Sequence, residues 1–171
     1  MADLLDAFST YALEVQAPYS TLITSGRKTI ETRRYALPPC LIGQSVHILE
    51  SAQGCAGVSA LGDEICLDES PAQCAIIGCV VFSRCKIYTS MQEWEVDRNR
   101  HCVPTTTDAA IYNYSDTPGA AKIYGWVVAE ASSQTPSPLA ARTLSRAHRS
   151  LYRYNEPDGH LARHAPGASD D

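Results

Sequence analysis

The chain has 171 residues, a formal net charge of −5 and a hydrophobic share of 44%, which suits one domain with a real core. It holds no apolar run of about 18 residues, which excludes a membrane-spanning helix, and its acidic start lacks the basic and apolar pattern of a signal peptide. The sequence therefore predicts an intracellular protein, cytoplasmic or nuclear, without a membrane partner; its acidic balance excludes one that coats nucleic acid without specificity.

In chain order, Tyr11 to Val15 alternates apolar and polar residues and reads as the first strand. Pro18 to Ser25 reads as a short helix, with proline at the first position and Gly26 as a left-handed cap. The pattern then turns extended, since Thr29, Ile30 and Thr32 favour β geometry. Strand alternation puts Glu31 and Arg33 on one face with Thr29, and Ile30 and Thr32 on the other, with Lys28 at the mouth. Pro38-Pro39 breaks the chain, and Ser45 to Glu50 makes the next strand. Gln53 to Gln73 has no strong period and reads as a surface insertion. Cys74 to Cys85 is the most apolar strand and is expected in the middle of the sheet.

Ser90 then caps a helix running to about Arg100, with Glu93 at the capping-box position. Ala109 to Tyr114 reads as a short strand, Pro118-Gly119 as a turn and Lys122 to Ala131 as the last strand. About six strands with one early and one middle helix fit a small mixed barrel. Domain boundaries follow: a main domain over 1–131, a linker over 132–138, a basic amphipathic helix over 139–155 and a disordered tail over 156–171. The helix is expected because Leu144, Ala147, Leu151 and Tyr154 recur near helical spacing, interleaved with Arg142, Arg146, Arg149 and Arg153.

The seven cysteines are odd in number and lack a C-x-x-C pair, so reduced structural thiols are favoured over disulfides or zinc. No metal and no cofactor is expected. His101-Cys102 has a slight metal flavour but no partners at ligand spacing. Residues 1–131 hold nine Lys and Arg against fifteen Asp and Glu, so any anion site there is a local concentration. Arg27, Lys28, Arg33 and Arg34 form the densest one, which suits a nucleotide or short strand better than a long duplex.

The segment Gly26-Arg27-Lys28-Thr29-Ile30-Glu31-Thr32-Arg33, read as Gly-x-Lys-x-x-Glu-x-Arg after Gln16-Ala17-Pro18-Tyr19, resembles the signature of the ASCH (activating-signal-cointegrator homology) family, a branch of the PUA-like β-barrels. Ile76 to Cys85 is similar to the family's central strand, and Lys122 to Val128 to its closing strand, all in the family's order. The resemblance implies an α+β fold: a PUA-like mixed β-barrel of about six strands with two short helices, to which the C-terminal helix is added.

The resemblance also implies a cleft at the barrel edge that binds RNA, another single-stranded nucleic acid, or a nucleoside or nucleotide ligand. Candidate ligand-binding residues are Tyr19, Gly26, Lys28, Glu31, Arg33, Arg34, Asp97, His101 and Lys122. Tyr19 is available for stacking or for the core; Asp97 and His101 also fit solvated positions. Some small bacterial members hydrolyse N4-acetylcytidine, and there the lysine matching Lys28 assists a threonine three positions on. Glu31 stands in that place here, with Glu95 or Asp97 as candidates for the second acid. A small amidohydrolase using Lys28 and Glu31 is thus one alternative. A coregulator-like protein-interaction module using the tail helix is the other.

Overall fold

The computed structural model describes residues 11–52, 57–67, 74–105, 112–133 and 143–155. Strands β1 (Tyr11–Gln16), β2 (Ile30–Arg33), β3 (Ser45–Ser51), β4 (Glu64–Cys66), β5 (Cys74–Ile87), β6 (Tyr124–Ser132), β7 (Thr143–His148) and β8 (Leu151–Tyr154) are joined by three short helices: α1 (Tyr19–Thr24), α2 (Met91–Val96) and α3 (Arg98–His101). A 3-10 turn spans Pro39–Leu41. All eight strands form one mixed sheet in the order β2-β6-β5-β3-β1-β8-β7-β4. β1 and β3 run parallel, and every other neighbouring pair is antiparallel.

The local signals act as the sequence predicts along the first half of the chain. Gly26 takes φ +75° just past α1, and its N–H donates to the Ile23 carbonyl, closing the helix as a left-handed cap does. Pro18 sits one position earlier than expected, as the N-cap. Ser90 caps α2 by accepting from the Glu93 N–H, while the Glu93 carboxylate reaches back to Thr89. β5 lies inside the sheet between β3 and β6. Gly78 is required on it, because a Cβ there would stand 2.0 Å from the Ser132 carbonyl oxygen and 2.9 Å from the Thr24 methyl.

Both faces of the sheet are covered. Leu13, Val15, Ile23, Val46, Ile48, Val80, Phe82 and Trp126 pack on one side, while Ala12, Leu49, Ile65, Leu144, Tyr152 and Tyr154 pack on the other. β1 and β3 supply both clusters by alternation. A third cluster, with Tyr88, Trp94, Val103 and Ile123, underlies α2 and α3.

Four expectations are corrected. The sheet is not a closed barrel of about six strands: it has eight strands, with β2 and β4 at the ends of the order and no pairing between them among the described residues. Where a basic amphipathic helix is expected over 139–155, residues 143–154 form the β7–β8 hairpin, and 139–142 lie outside the described residues. The helical spacing of Leu144, Ala147, Leu151 and Tyr154 is coincidental. Leu151-Tyr152-Arg153-Tyr154 is aromatic-rich, and β8 supplies the hydrogen-bonding partner that the second edge of β1 needs. The supposed surface insertion contains β4, which covers β7. Tyr112 to Tyr114 belong to no strand, and 109–111 lie outside the described residues, as do the linker residues 134–138 and the tail after Asn155.

Candidate functional site

The motif folds as its pattern dictates. After the Gly26 cap, the Lys28 N–H donates to the Leu22 carbonyl and the Thr29 N–H to the Arg100 carbonyl, so the chain enters β2 clamped between α1 and α3. β2 then pairs with β6, Glu31 opposite Trp126 and Arg33 opposite Tyr124. Alternation brings Glu31 and Arg33 to one face, where the Glu31 Oε1 lies 2.9 Å from the Arg33 Nη2 and the Glu31 Oε2 lies 3.4 Å from the Lys28 Nζ.

These three charged groups are inside the protein: Lys28 is 2% exposed, Glu31 5% and Arg33 8%. The Lys28 ammonium donates to the His101 carbonyl at 2.5 Å and lies 5.8 Å from the Tyr19 ring centroid. Arg33 donates to the Glu14 carbonyl at 2.9 Å and to the Ser150 hydroxyl at 2.7 Å. Burial lowers the Lys28 pKa, against the pull of Glu31. For Arg33 burial works downward as the largest single influence, but Glu31, with Tyr35, Tyr112 and Glu14, together outweigh it and the pKa is raised. The Tyr19 hydroxyl is raised by burial, then by Cys102 and Glu31.

One carboxylate therefore serves two buried cations. The Glu14 carboxylate, also buried, is taken up by Ser51, Ser59 and the Ala60 N–H. With Lys28 protonated, the group carries an excess positive charge at low local dielectric, which favours either loss of the Lys28 proton or an incoming anion. Half-buried Tyr19, Thr29 and Cys102 border the group, with Arg100 exposed beside Thr29; Arg27 and Arg34, adjacent to Lys28 and Arg33 in the chain, are also exposed.

Other residues singled out by sequence take different places. His101 is fully buried, stacked on Trp94 at 3.8 Å between ring centroids. Its Nδ1 accepts from the Val103 N–H and its Nε2 faces the Trp94 carbonyl. With both ring nitrogens engaged it is neither a solvated side chain nor a free ligand; its carbonyl is what meets Lys28. Burial pushes its pKa down to about 4. Asp97 is buried too, 3% exposed, rather than solvated. It pairs with Lys86 at 2.6 Å and Arg100 at 3.0 Å and accepts from the Tyr88 hydroxyl. Burial would raise its pKa, but these partners outweigh it and the value is lowered. Arg100 bridges from Asp97 to the Thr29 hydroxyl, so Asp97 braces the site from one residue away.

Lys122 is exposed beyond Tyr124, the partner of Arg33, and so stands at the Arg33 end of β2 rather than beside Lys28. The Gly26 N–H is occupied by the helix cap. Glu95 is ion-paired with Arg98 on the surface. Among the described residues no cluster of three or more His, Cys, Asp or Glu is placed to hold a metal.

Three participants escaped the sequence reading. Glu14 had a signal, a carboxylate in the middle of an apolar strand. Tyr35 and Ser150 had none, since the hydrogen bond between their hydroxyls, 2.9 Å, depends on the β7–β8 hairpin that sequence read as helix.

A mixed sheet with a short helix ahead of β2 is consistent with a PUA-like fold. The family model for the ASCH domain matches residues 13–136, and the chain belongs to the ASCH domain family. Among solved structures it is similar to the ASCH protein of Zymomonas mobilis, at 14% identity, a TM-score of 0.47 and coverage of 71% of this chain and 68% of that one. It is similar to a tyrosine-to-phenylalanine mutant of that protein at 16% identity, a TM-score of 0.48 and coverage of 75% of each chain. A serine-to-alanine mutant gives 14%, 0.49 and coverage of 82% and 89%. Among curated proteins no sequence matches significantly. No helix among the described residues is long and apolar enough to cross a membrane.

Proposed function

We propose that this chain is an RNA-binding module that takes single-stranded RNA, or a nucleotide-like part of it, against the face of β2 that carries Lys28, Glu31 and Arg33. The observation that carries the reading is the charge imbalance: Lys28 and Arg33, both buried, share the single carboxylate of Glu31. A phosphate approaching the rim lowers the energy of that arrangement without displacing any of its hydrogen bonds. Arg27, Arg34 and Arg100 at the surface supply the direct contacts, and half-buried Tyr19 offers a ring for a base. The acidic remainder of the domain confines an anion to this patch.

The test is titration of a labelled short single-stranded RNA with wild type, Lys28→Met and Arg34→Ala at two salt concentrations. Both variants are expected to bind more weakly, with the gap narrowing as salt rises, because counterion release drives such contacts. Equal affinities for all three proteins sink the reading.

The amidohydrolase alternative draws support from one feature, the lowered basicity of Lys28, which suits an amine acting as a base. Glu31 gives it none, because that side chain holds two cations where the related hydrolases place a threonine. Incubation with N4-acetylcytidine is expected to release no cytidine. Turnover abolished by Lys28→Met would put hydrolysis in place of binding.

A further inference from the structure

The turn between β7 and β8 places an arginine where backbone geometry disfavours one. Arg149 has φ +52°, in the left-handed region that two-residue hairpin loops usually fill with asparagine or glycine. The surroundings hold it there. Arg146 donates to the Arg149 carbonyl while pairing with Asp63 at 2.7 Å, and the Ser150 carbonyl accepts from the Glu14 N–H at 2.8 Å. A strained conformation that is kept in place is a reason to ask what the side chain does.

That side chain lies over an aromatic ring. The Arg149 Cζ is 4.9 Å from the Tyr35 ring centroid, and the His148 imidazole meets the same ring edge-on at 5.2 Å. Trp126 also meets the Tyr35 ring edge-on, at 5.3 Å between centroids, which helps to fix the ring. Below them the Ser150 hydroxyl joins Tyr35 to Arg33. Arg34, His148 and Arg149 are exposed, and among the described residues no carboxylate pairs with Arg34 or Arg149. An anchored aromatic ring, a guanidinium stacked on it and an adjoining imidazole meet at the turn whose Ser150 holds the buried Arg33, with exposed Arg34 next to Tyr35 in the chain. This combination suits a nucleotide: planar groups for the base and unpaired cations for its phosphate.

We propose that the β7–β8 turn is a second rim of the RNA surface, in which His148 and the outer face of Arg149, seated on Tyr35, stack one base of a single-stranded RNA while Arg34 meets its phosphate. The proposal rests on the RNA-binding reading of the β2 face and extends it to a hairpin lying outside the region matched to the family, 13–136.

The decisive variant is Arg149→Asn, because asparagine accepts the left-handed turn. Its thermal midpoint is expected to hold or rise, while affinity for a labelled short single-stranded RNA of mixed sequence falls by roughly five- to tenfold and the salt slope by about one. His148→Ala is expected to weaken binding as well, with duplex RNA bound less well than the single strand by wild type. Unchanged affinity in both turn variants, with wild type binding and Lys28→Met impaired, overturns the second rim and leaves the β2 reading standing. A wild type that does not bind the single strand overturns both. An acidic peptide that displaces the RNA at equal concentration replaces the nucleotide with a protein partner and also overturns the proposal.

Discussion

Arg33 and Ser150 lie 117 positions apart, yet the Arg33 Nη1 donates to the Ser150 Oγ at 2.7 Å. Through that contact the motif strand is tied to the last hairpin, and through the Glu14 carbonyl to β1. The bond between Lys28 and the His101 carbonyl makes a matching tie to α3. The charged residues of the motif are therefore tension points of the fold as well as a source of positive field, and substitutions there act on stability and binding together.

Glu31→Gln separates the two roles by magnitude. The amide keeps the shape but leaves two buried cations without a counter-charge. Removing one partner of a buried ion pair typically costs about 3–5 kcal/mol, against about 0–1 kcal/mol for an exposed pair. A large fall in the denaturation midpoint is expected, with the fold retained at low temperature. A midpoint shift in the exposed-pair range would show that water reaches the group.

Lys28 predicts a pH dependence of defined sign. Its folded pKa is lowered from 10.5 by burial, so between the lowered value and 10.5 the unfolded chain holds the extra proton. Stability contributed by this group therefore rises with pH through that window. Tyr88 and Tyr152, raised by burial, act in the opposite sense near their ordinary value. The difference between wild type and Lys28→Met isolates the lysine. Wild type is expected to gain on the variant as pH rises toward 10.5 in denaturant titrations; a flat or falling difference contradicts the lowered pKa.

What sequence made legible follows from how local each signal is. The Gly26 cap, the Ser90 cap and the alternation that pairs Glu31 with Arg33 are fixed within a few residues, and they stand in the structure where the pattern puts them. The hairpin of β7 and β8 is decided instead by tertiary pairing, since β8 covers the edge of β1, and a coincidental helical spacing concealed it. Burial was the other hidden quantity. Nothing in the spacing of Asp97 or His101 tells that Lys86, Tyr88 and Trp94 enclose them, and charged residues on a short helix ordinarily face water. The three motif positions meet as ion pairs, but their withdrawal from solvent comes from β6, α3 and the Ser150 turn, which are distant in sequence.

His101 gives the acid side of the stability profile. Its pKa falls from 6.5 to about 4 because the ring is buried, with the Trp94 carbonyl opposing the shift. A neutral imidazole is thus built into the fold. The stability it contributes is complete above the unfolded value of 6.5 and is lost as pH falls toward 4, because the unfolded chain takes up a proton that the folded chain refuses. A shift of this size corresponds to about 3 kcal/mol at most. Denaturant titrations stepped from neutral pH down to about pH 4 are expected to show this decline, which the carboxylates join only below about pH 5. In His101→Gln, a side chain that can replace one of the two ring contacts but does not titrate, the protein starts less stable and the decline across that interval flattens. A decline of equal slope in wild type and variant would mean that His101 is protonated without cost, contrary to its stacking on Trp94 and its two main-chain contacts.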